Sequence, residues 1–239
     1  MLYTEITPPG ALAPYIDAYW SVKGTGKDTI ANTILPDGCV DIIFNLGEDA
    51  GDMKSGKAYL IGAMTGPIQS PVAQETRLLG VRFRPVAFFA FYDFSSLHEI
   101  TDDSVECEKA LTPDLSFLKH PAEALNKFFL DRLTRPKHRL FPLLEDIRLR
   151  HGQVRVEELA KRHFITVRQL ERDFRYYVGL SPKEFMKQER FRHALRRVRR
   201  RLAGESLSDI AHACGFYDHS HLAHEIKRYT GEVPASLAC

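Results

Sequence analysis

Cationic side chains are concentrated in one short segment of this 239-residue chain. The arginines of that segment are Arg190, Arg192, Arg196, Arg197, Arg199, Arg200 and Arg201. Guanidinium groups keep their positive charge and donate several hydrogen bonds, so a row of them is suited to binding phosphate groups. A solvated helix face has the same composition, and the segment alone does not separate these two interpretations.

The distribution of charge along the whole chain favours a polyanion as partner of the second half. Residues 1–135 hold 12 Lys and Arg against 18 Asp and Glu, whereas residues 136–239 hold 21 against 13. The net charge of the whole chain, +2, hides this asymmetry. The split predicts that only the second half binds a polyanion, and it predicts two domains, residues 1–135 and 136–239.

A doubled pattern within residues 154–234 indicates what positions these cations. Five positions recur 52 residues further on: Leu170, Phe174, Arg175, Gly179 and Pro182 are matched by Leu222, Ile226, Lys227, Gly231 and Pro234. Two copies are too few for a solenoid, but two helix–turn–helix units can read two segments of DNA. The apolar members of the pattern are expected to pack between helices rather than to contact DNA.

Capping residues divide the second half into helices. Short helices are predicted from Val156 to Arg162 and from Leu207 to Ala213, the latter capped by Ser206. Two longer ones, Val167 to Val178 and His219 to Tyr229, follow the N-caps Thr166 and Asp218, and Gly179 ends the first of them. The linker helix runs from Pro182 to about Leu202. Its length of about 30 Å is close to the ~34 Å turn of B-DNA.

The first half has the pattern of short strands followed by helices. Strands are predicted over residues 16–22, 29–35, 39–46, 59–63, 68–72 and 78–84, and helices over 85–92, near 95–96, from Pro121, and over 138–150. Val40, Ile42 and Phe44 fall on one face of a predicted strand, and Asp41, Ile43 and Asn45 fall on the other. The helix from Pro121 has an apolar face (Leu125, Phe128, Phe129 and Leu133) that is suited to pairing two chains or to packing within one. We therefore expect a small β-barrel or sandwich backed by helices.

Residues that could support catalysis or metal binding are sparse. The first half has only His98 and His120, both outside the predicted strands, and lacks phosphate-loop and nucleophile-elbow motifs. The four cysteines form no C-x-x-C pair, so we expect reduced thiols, no metal, no cofactor and no enzyme activity. Arg82 and Arg84 could clamp an anion but are more typical of solvated strand arginines, and Trp20 is more typical of a core. The chain has no signal peptide or membrane span, so a cytoplasmic location is expected.

Residues 152–236 resemble the DNA-binding domain of the AraC/XylS family of bacterial transcription regulators. The segments that carry the resemblance are TVRQLERDFRYYVGLSPKEF, IAHACGFYDHSHLAHEIKRYTGEVP and, between them, Arg190 and Ala194. In the first half, YW at 19–20, LPDG at 35–38 and GVRFRP at 80–85 are similar to an amino-terminal domain of some of these regulators. The resemblance implies an α+β two-domain fold, with a cupin-like β-rich barrel or sandwich followed by an all-α double helix–turn–helix domain.

The resemblance also implies the roles of individual residues. Base edges would be contacted by Arg168, Glu171 and Arg172 in the first unit and by His219, Ser220, His221 and His224 in the second. DNA backbone contacts would come from Thr166, Arg175, Arg196 and Lys227. Arginine suits guanine O6 and N7, and glutamate accepts from cytosine N4. Because Ile226 stands where the family usually has phenylalanine and the second helix carries histidines, the first unit is expected to anchor specificity and the second to tune it.

These features together predict a sequence-specific transcription regulator that binds double-stranded DNA. A small-molecule effector, a homodimer and RNA polymerase are its further expected partners, with the first half as sensor or dimerisation domain. Two alternatives remain open from the sequence. One is a DNA-targeted enzyme, such as the repair-linked methyl acceptors of this family, and the other is a non-specific nucleic-acid-binding module.

Overall fold

The computed structural model describes residues 1–113, 115, 121–133, 138–201 and 204–237, so His120, Cys239 and the predicted boundary at 135–136 lie outside it. The strands are β1 (Leu2–Ile6), β2 (Ile16–Lys23), β3 (Thr33–Ile34), β4 (Val40–Asn45), β5 (Ala58–Ile61), β6 (Ile68–Gln69), β7 (Arg77–Phe83) and β8 (Ser104–Glu106). The helices are α1 (Pro121–Arg132), α2 (Phe141–Leu149), α3 (Val156–Arg162), α4 (Val167–Val178), α5 (Pro182–Arg199), α6 (Leu207–Ala213), α7 (His219–Thr230) and α8 (Pro234–Leu237). A β-rich part is thus followed by an all-α part, as predicted.

The strands form an open antiparallel sheet with a separate two-stranded ribbon. The order in the sheet is β1-β2-β7-β4-β5-β8, and β3 pairs with β6 in the ribbon. The barrel alternative is therefore wrong in its strict form, because β1 and β8 are the two edges of the sheet and its arrangement is sandwich-like. Strands β1 and β8 were also not predicted, since their residues are exposed on both faces and give no apolar alternation.

The central strands follow the predicted alternation. Val40, Ile42 and Phe44 of β4 enter the main core, while Ile43 packs on the opposite face with Trp20 and Leu78. Trp20 is buried, as expected of a core residue. A side chain at Gly80 would lie 2.0 Å from the Trp20 ring, which explains why β7 has a glycine there.

Several boundaries differ from the prediction for local reasons. The helix expected from Pro85 is a short 3-10 helix, Ala87–Ala90, because Val86 before it adopts a left-handed φ of 67°. A second 3-10 helix, Leu97–Ile100, follows the N-cap Ser96. The linker helix α5 ends at Arg199, before the predicted Leu202.

The boundary between the two hydrophobic clusters does not coincide with the change in net charge near residue 135. One cluster of buried side chains joins the sheet, α1, α2, α3, α4 and the first half of α5, from Leu12 to Met186. A second cluster contains Phe191 to Val198 of α5 together with α6 and α7. Within α1, Leu125 and Phe129 are fully buried in the first cluster, so that face packs within the chain. The first helix–turn–helix unit is thus packed with the β-rich part, and the division at 135–136 stays a prediction.

Candidate DNA-binding surface

Helix α4 is built so that one face is buried and the other is presented to solvent. The Thr166 hydroxyl accepts a 3.1 Å hydrogen bond from the Gln169 N–H, and Gly179 ends the helix at a φ of 87°. Leu170, Phe174 and Val178 are buried in the core. The predicted N-cap and C-cap are both confirmed, and they fix where the exposed face begins and ends.

The predicted base-contacting residues of the first unit share that exposed face. Arg168, Arg172 and Arg175 are exposed and Glu171 is half-exposed. Their spacing of three, four and seven residues places all four on one stripe of a helix with ~3.6 residues per turn. The stripe alternates donors with one carboxylate acceptor, the combination needed for G·C edges.

A buried carboxylate holds the opposite side of α4. Asp173 accepts from Arg139 Nη2 at 2.7 Å and from Gln169 Nε2 at 2.5 Å. Arg172 Nη2 donates to Gln169 Oε1, so the guanidinium group of Arg172 is oriented by the same glutamine. Asp173 therefore ties α4 to the segment before α2 and is not itself available to DNA.

Helix α7 repeats the construction of α4 with different surface chemistry. Asp218 caps it by accepting from the His221 N–H at 2.7 Å, and Gly231 ends it at a φ of 77°. The 52-residue offset pairs Ser220, Ala223, His224 and Lys227 with Arg168, Glu171, Arg172 and Arg175, and the three polar members of this second set are exposed. His219 and His221 are exposed in the first turn of the helix, where His221 packs edge-on against Phe216 at 5.3 Å.

The stripe on α7 has no permanent cation before Lys227. The histidine side chains of this helix offer ring nitrogens as hydrogen-bonding groups. The structure therefore keeps the same frame in both units, but the exposed stripe of the second unit has fewer permanently charged side chains.

Helix α5 connects the two units through both cores. Ser181 and Glu184 form a capping box at its start, and Phe185 packs in the first core while Phe191 packs in the second. The buried Glu225 of α7 lies 3.0 Å from Lys187 Nζ of α5 and 3.4 Å from Arg228 Nη1. This ion pair fixes α7 on the linker helix, because a buried carboxylate is costly without its partners.

The seven arginines of the linker segment divide into two groups. Arg190 lies 5.2 Å from the centre of the Phe216 ring, Arg192 pairs with Glu189, and Arg197 and Arg201 bind Glu205. Arg196, Arg199 and Arg200 are exposed, and the structure gives them no ion pair within the described residues. The cationic run is therefore partly structural, and these three residues form its solvent-facing part.

Arg82 and Arg84 are half-buried and paired with carboxylates of the chain, and they are not arranged as an anion clamp. Arg82 contacts Glu5 at 2.9 Å and Asp37 at 3.3 Å, and Arg84 contacts Asp17 at 3.0 Å. Asp41, beside Arg82, accepts from Trp20 Nε1 at 2.6 Å. Burial and the neighbouring Asp37 raise the pKa of Asp41 to about 7, against the opposing effect of Arg82. Both guanidinium groups are thus neutralised within the chain.

The described part of the chain contains no group of three or more His, Cys, Asp or Glu side chains placed to hold a metal ion. Cys39, Cys107 and Cys214 are free thiols. None of the described helices combines the length and apolarity needed to cross a bilayer.

Two features of the surface were not predicted from the sequence. Tyr176 and Tyr177, at the end of α4, contact the β-rich part through Phe89, with ring centres 5.4 and 5.0 Å away. Phe164, between α3 and α4, is 95% exposed and has a left-handed φ of 54°. The adjacent tyrosines at the end of an amphipathic helix were the only sequence signal for the first contact, and nothing in the pattern indicated the second.

Comparison with known families gives two matches. Residues 159–238 match a helix-turn-helix domain family, and residues 4–106 match a family described as a domain of unknown function, DUF6597. The first match covers both units and the linker, and the second covers the sheet through β8.

Individual relatives match about a third of the chain. The HTH-type transcriptional activator RhaS of Pectobacterium carotovorum subsp. carotovorum (strain PC1) is 32% identical over 79 residues, 33% of this chain and 28% of that protein. RhaS of Pectobacterium atrosepticum is 30% identical over the same length. The chain therefore matches under a third of the length of these relatives.

Solved structures are similar over a part or most of the chain. The DNA-binding domain of AdpA, in complex with a target DNA, is 27% identical with a TM-score of 0.37, covering 42% of this chain and 89% of that one. An apo ToxT variant from Vibrio cholerae strain SCE256 is 12% identical with a TM-score of 0.49, covering 92% of this chain and 95% of that one.

Proposed function

We propose that this chain, whose helix-turn-helix domain belongs to the AraC/XylS family, is a sequence-specific DNA-binding transcription regulator. The observation that carries the proposal is the pair of equivalent exposed stripes on α4 and α7. Both helices start at a side-chain N-cap, end at a left-handed glycine and pack on the single linker helix α5. Two such helices on one rigid connection suit two successive segments of the major groove.

The residues of each stripe take the roles that their chemistry allows. Arg168 and Arg172 donate to guanine, and Glu171 accepts from cytosine. Ser220 and His224, with His219 and His221 beside them, make hydrogen bonds to base edges. Specificity therefore rests mainly on the first unit, and the second unit adjusts it.

Backbone phosphates are bound by groups at the margins of the stripes. Thr166 lies at the positive end of α4, while Arg175 and Lys227 occupy equivalent positions near the ends of the two helices. Arg196 joins Arg199 and Arg200 as the exposed cations of α5. Each neutralised phosphate releases counterions, so affinity falls steeply with salt.

The β-rich part acts as the regulatory domain, without catalysis, through an effector or a partner. Contacts of this part with α4 allow a bound molecule to bias the first reading helix. RNA polymerase and a second copy of the chain are the further partners of a regulator of this kind. The exposed apolar side chains of the edge strand β1 (Leu2, Tyr3 and Ile6) offer a surface for the second copy, which light scattering across concentration tests.

Selection of bound fragments from fragmented genomic DNA, followed by footprinting of the full chain, tests the proposal. We expect protection of a defined site of about two helical turns, since two units are joined by one linker helix. Protection that ignores sequence would identify a non-specific nucleic-acid-binding module. Conversion of the bound DNA, detected as a chemical change in the recovered fragments or the protein, would identify a DNA-targeted enzyme.

A further inference from the structure

We propose that Phe164, in the turn before the first reading helix, α4, contacts the C5-methyl group of a thymine beside the base pairs that α4 reads. Tyr217 contacts DNA in the same way before the second reading helix, α7. This inference deepens the proposed function and rests on it. Of the large apolar side chains that the structure describes, Phe164 and Tyr217 are the two most exposed, with exposed fractions of 95% and 85%. Both rings therefore offer apolar surface to a partner outside the chain.

The backbone at Phe164 adopts a conformation that suits glycine. It closes α3, since the Ile165 N–H donates a 3.0 Å hydrogen bond to the Ala160 carbonyl oxygen and the φ of Phe164 is 54°. The second unit has Gly215 at the corresponding position, with a φ of 72°. Left-handed backbone is unfavourable for a residue with a Cβ atom. The ring at position 164 therefore has a cost that packing within the chain does not offset.

The residues on either side of Phe164 hold its backbone in place. His163 Nε2 lies 3.3 Å from Asp146 Oδ2, and Ile165 packs against the first hydrophobic cluster. Thr166 then begins α4 as its N-cap. The ring of Phe164 therefore projects into solvent from a turn that is anchored on both sides. A partner that covers the ring has little backbone to order, so most of the apolar contact contributes to affinity.

The second unit exposes an aromatic ring at the same place with a different backbone. Its turn is one residue longer, because Gly215 precedes the N-cap Asp218 by three residues whereas Phe164 precedes Thr166 by two. The additional residue is Tyr217, directly before the N-cap. The two turns thus differ in length and in the residue at the left-handed position. What they share is an exposed aromatic ring within two residues of the start of a reading helix.

The position before the N-cap favours DNA as the partner. In a helix–turn–helix unit the amino-terminal residues of the reading helix contact base edges while the preceding helix crosses the backbone, so the turn between them lies at the margin of the major groove. The apolar group that bases present in this groove is the thymine methyl, and phenylalanine suits it. The exposed cations Lys161 and Arg168 flank Phe164 in sequence. Their charge favours a nucleic acid over an apolar protein surface.

Replacement of thymine by uracil tests the contact, because the two bases differ only by the C5-methyl group. Each thymine of the fragment recovered by selection is replaced in turn, and the Kd of the full chain is measured by fluorescence anisotropy. We expect at least two replacements to weaken binding about fourfold each, the effect of one methyl group left unburied. A selected site in which no replacement changes the Kd would overturn the inference.

Substitutions assign each methyl contact to a ring. Phe164→Gly removes the ring and keeps the left-handed turn. It is expected to weaken binding to the selected site about tenfold, the effect of one aromatic side chain left unburied, and to abolish the uracil effect at one thymine. Tyr217→Ala is expected to abolish the uracil effect at another thymine. A uracil effect of full size at every position in both variants would overturn the inference.

Leu149→Ala is the matched control. Leu149 is 80% exposed at the end of α2, and it does not adjoin the N-cap of a reading helix. The control removes an apolar side chain of similar exposure and is expected to keep both the Kd and the uracil effects of the parent chain. If it lost the same uracil effect as Phe164→Gly, the methyl contact would not belong to Phe164 and the inference would be overturned.

The same measurements separate failure of this inference from failure of the proposed function. If the parent chain selects no DNA site, the proposed function fails and the inference fails with it. If the parent chain selects a site but Phe164→Gly binds it equally well, the inference alone fails. Light scattering of both chains identifies the competing protein partner. A parent dimer that Phe164→Gly converts to monomers, with DNA affinity unchanged, would place the ring in an interface between copies and overturn the inference.

Discussion

The Thr101 hydroxyl donates a 2.6 Å hydrogen bond to the carbonyl oxygen of Gly179, across 78 residues of sequence. Gly179 ends the first reading helix, and Thr101 follows the 3-10 helix Leu97–Ile100 of the β-rich part. The bond therefore ties the end of α4 to the β-rich part, beside the contact of the Phe89 ring with the Tyr176 ring. Both contacts hold the carboxyl-terminal end of α4, while the reading stripe begins at the opposite end.

Thr101→Val is expected to lower the free energy of unfolding by about 1 kcal/mol, because the substitution keeps the shape and removes one partly buried hydrogen bond. Urea denaturation measures the change. Thr33→Val is the matched control, since the Thr33 hydroxyl bonds only to the exposed side chain of Gln69 on the ribbon. If the two variants lost equal stability, the bond to Gly179 would have no special role.

Arg172→Ala is expected to cost about 1–3 kcal/mol of binding to the selected site and to relax specificity at one or two positions. The reason is that Arg172 lies in the middle of the α4 stripe and carries a permanent charge with two donors for guanine. Binding to the selected site and to variants at each position, by fluorescence anisotropy, measures it. His224→Ala, at the equivalent place on α7, is expected to cost less.

Uniform weakening of all sequences by Arg172→Ala would reassign Arg172 to phosphate contact. An equal or larger loss from His224→Ala would contradict the expected inequality of the two units. The salt dependence of each variant separates these outcomes, because loss of a phosphate contact lowers the slope of log Kd against log salt by about one.

The helical half could be predicted from the sequence because its signals are local. Thr166, Asp218 and Ser206 cap helices within three residues of themselves, and Gly179 ends α4 through its own backbone angle. The alternation in β4 is equally local, since each side chain turns to the opposite face of its neighbour.

Contacts between distant segments could not be predicted in the same way. Arg82 has partners at Glu5 and Asp37, and no spacing rule connects these positions. The same holds for the stacked rings of Phe89 and Tyr176, which come from different halves of the chain. Contacts of this kind join the two halves in one hydrophobic core. The packing therefore crosses the boundary that the change in net charge predicted.

The buried Asp41 is expected to make stability depend on pH. Its pKa of about 7 in the folded chain lies above its ordinary value of 3.8, so between those values the folded state holds a proton that the unfolded state has lost. Stability contributed by Asp41 is therefore present at low pH and falls as pH rises towards 7. Asp41→Asn removes this dependence, because the amide does not titrate and its oxygen still accepts from Trp20 Nε1.

Urea denaturation at pH 5, 6, 7 and 8 measures the effect, with the fluorescence of Trp20, the single tryptophan, as the signal. The unfolding free energy of Asp41→Asn minus that of the parent chain is expected to increase as pH rises to 7, by up to about 1 kcal/mol per pH unit. Subtraction cancels the other titrating groups, including His193, whose pKa is lowered to about 4 mainly by burial. A difference that stays constant with pH would show that Asp41 is ionised throughout.

The phenylalanine side chain at position 164 is expected to destabilise the folded chain. Its left-handed φ of 54° costs a non-glycine residue about 1–2 kcal/mol, and a side chain that is 95% exposed returns little by packing. The second unit has Gly215 in the corresponding turn, with a φ of 72°. Phe164→Gly is therefore expected to raise the free energy of unfolding by about 0.5–1 kcal/mol, after the entropy that glycine adds to the unfolded chain.

The matched control is Gly215→Ala, which should destabilise, because the added Cβ would lie 2.7 Å from Gln153 Oε1 at an unfavourable φ. Thermal and urea unfolding measure the change in stability of each variant. If the left-handed turn has the same role in both units, Phe164→Gly raises the free energy of unfolding and Gly215→Ala lowers it. A loss of stability from Phe164→Gly would mean that the exposed ring makes stabilising contacts. A gain in stability accompanied by weaker DNA binding would instead indicate that the ring is retained for contact with DNA, since it lies two residues before the N-cap Thr166 of the first reading helix.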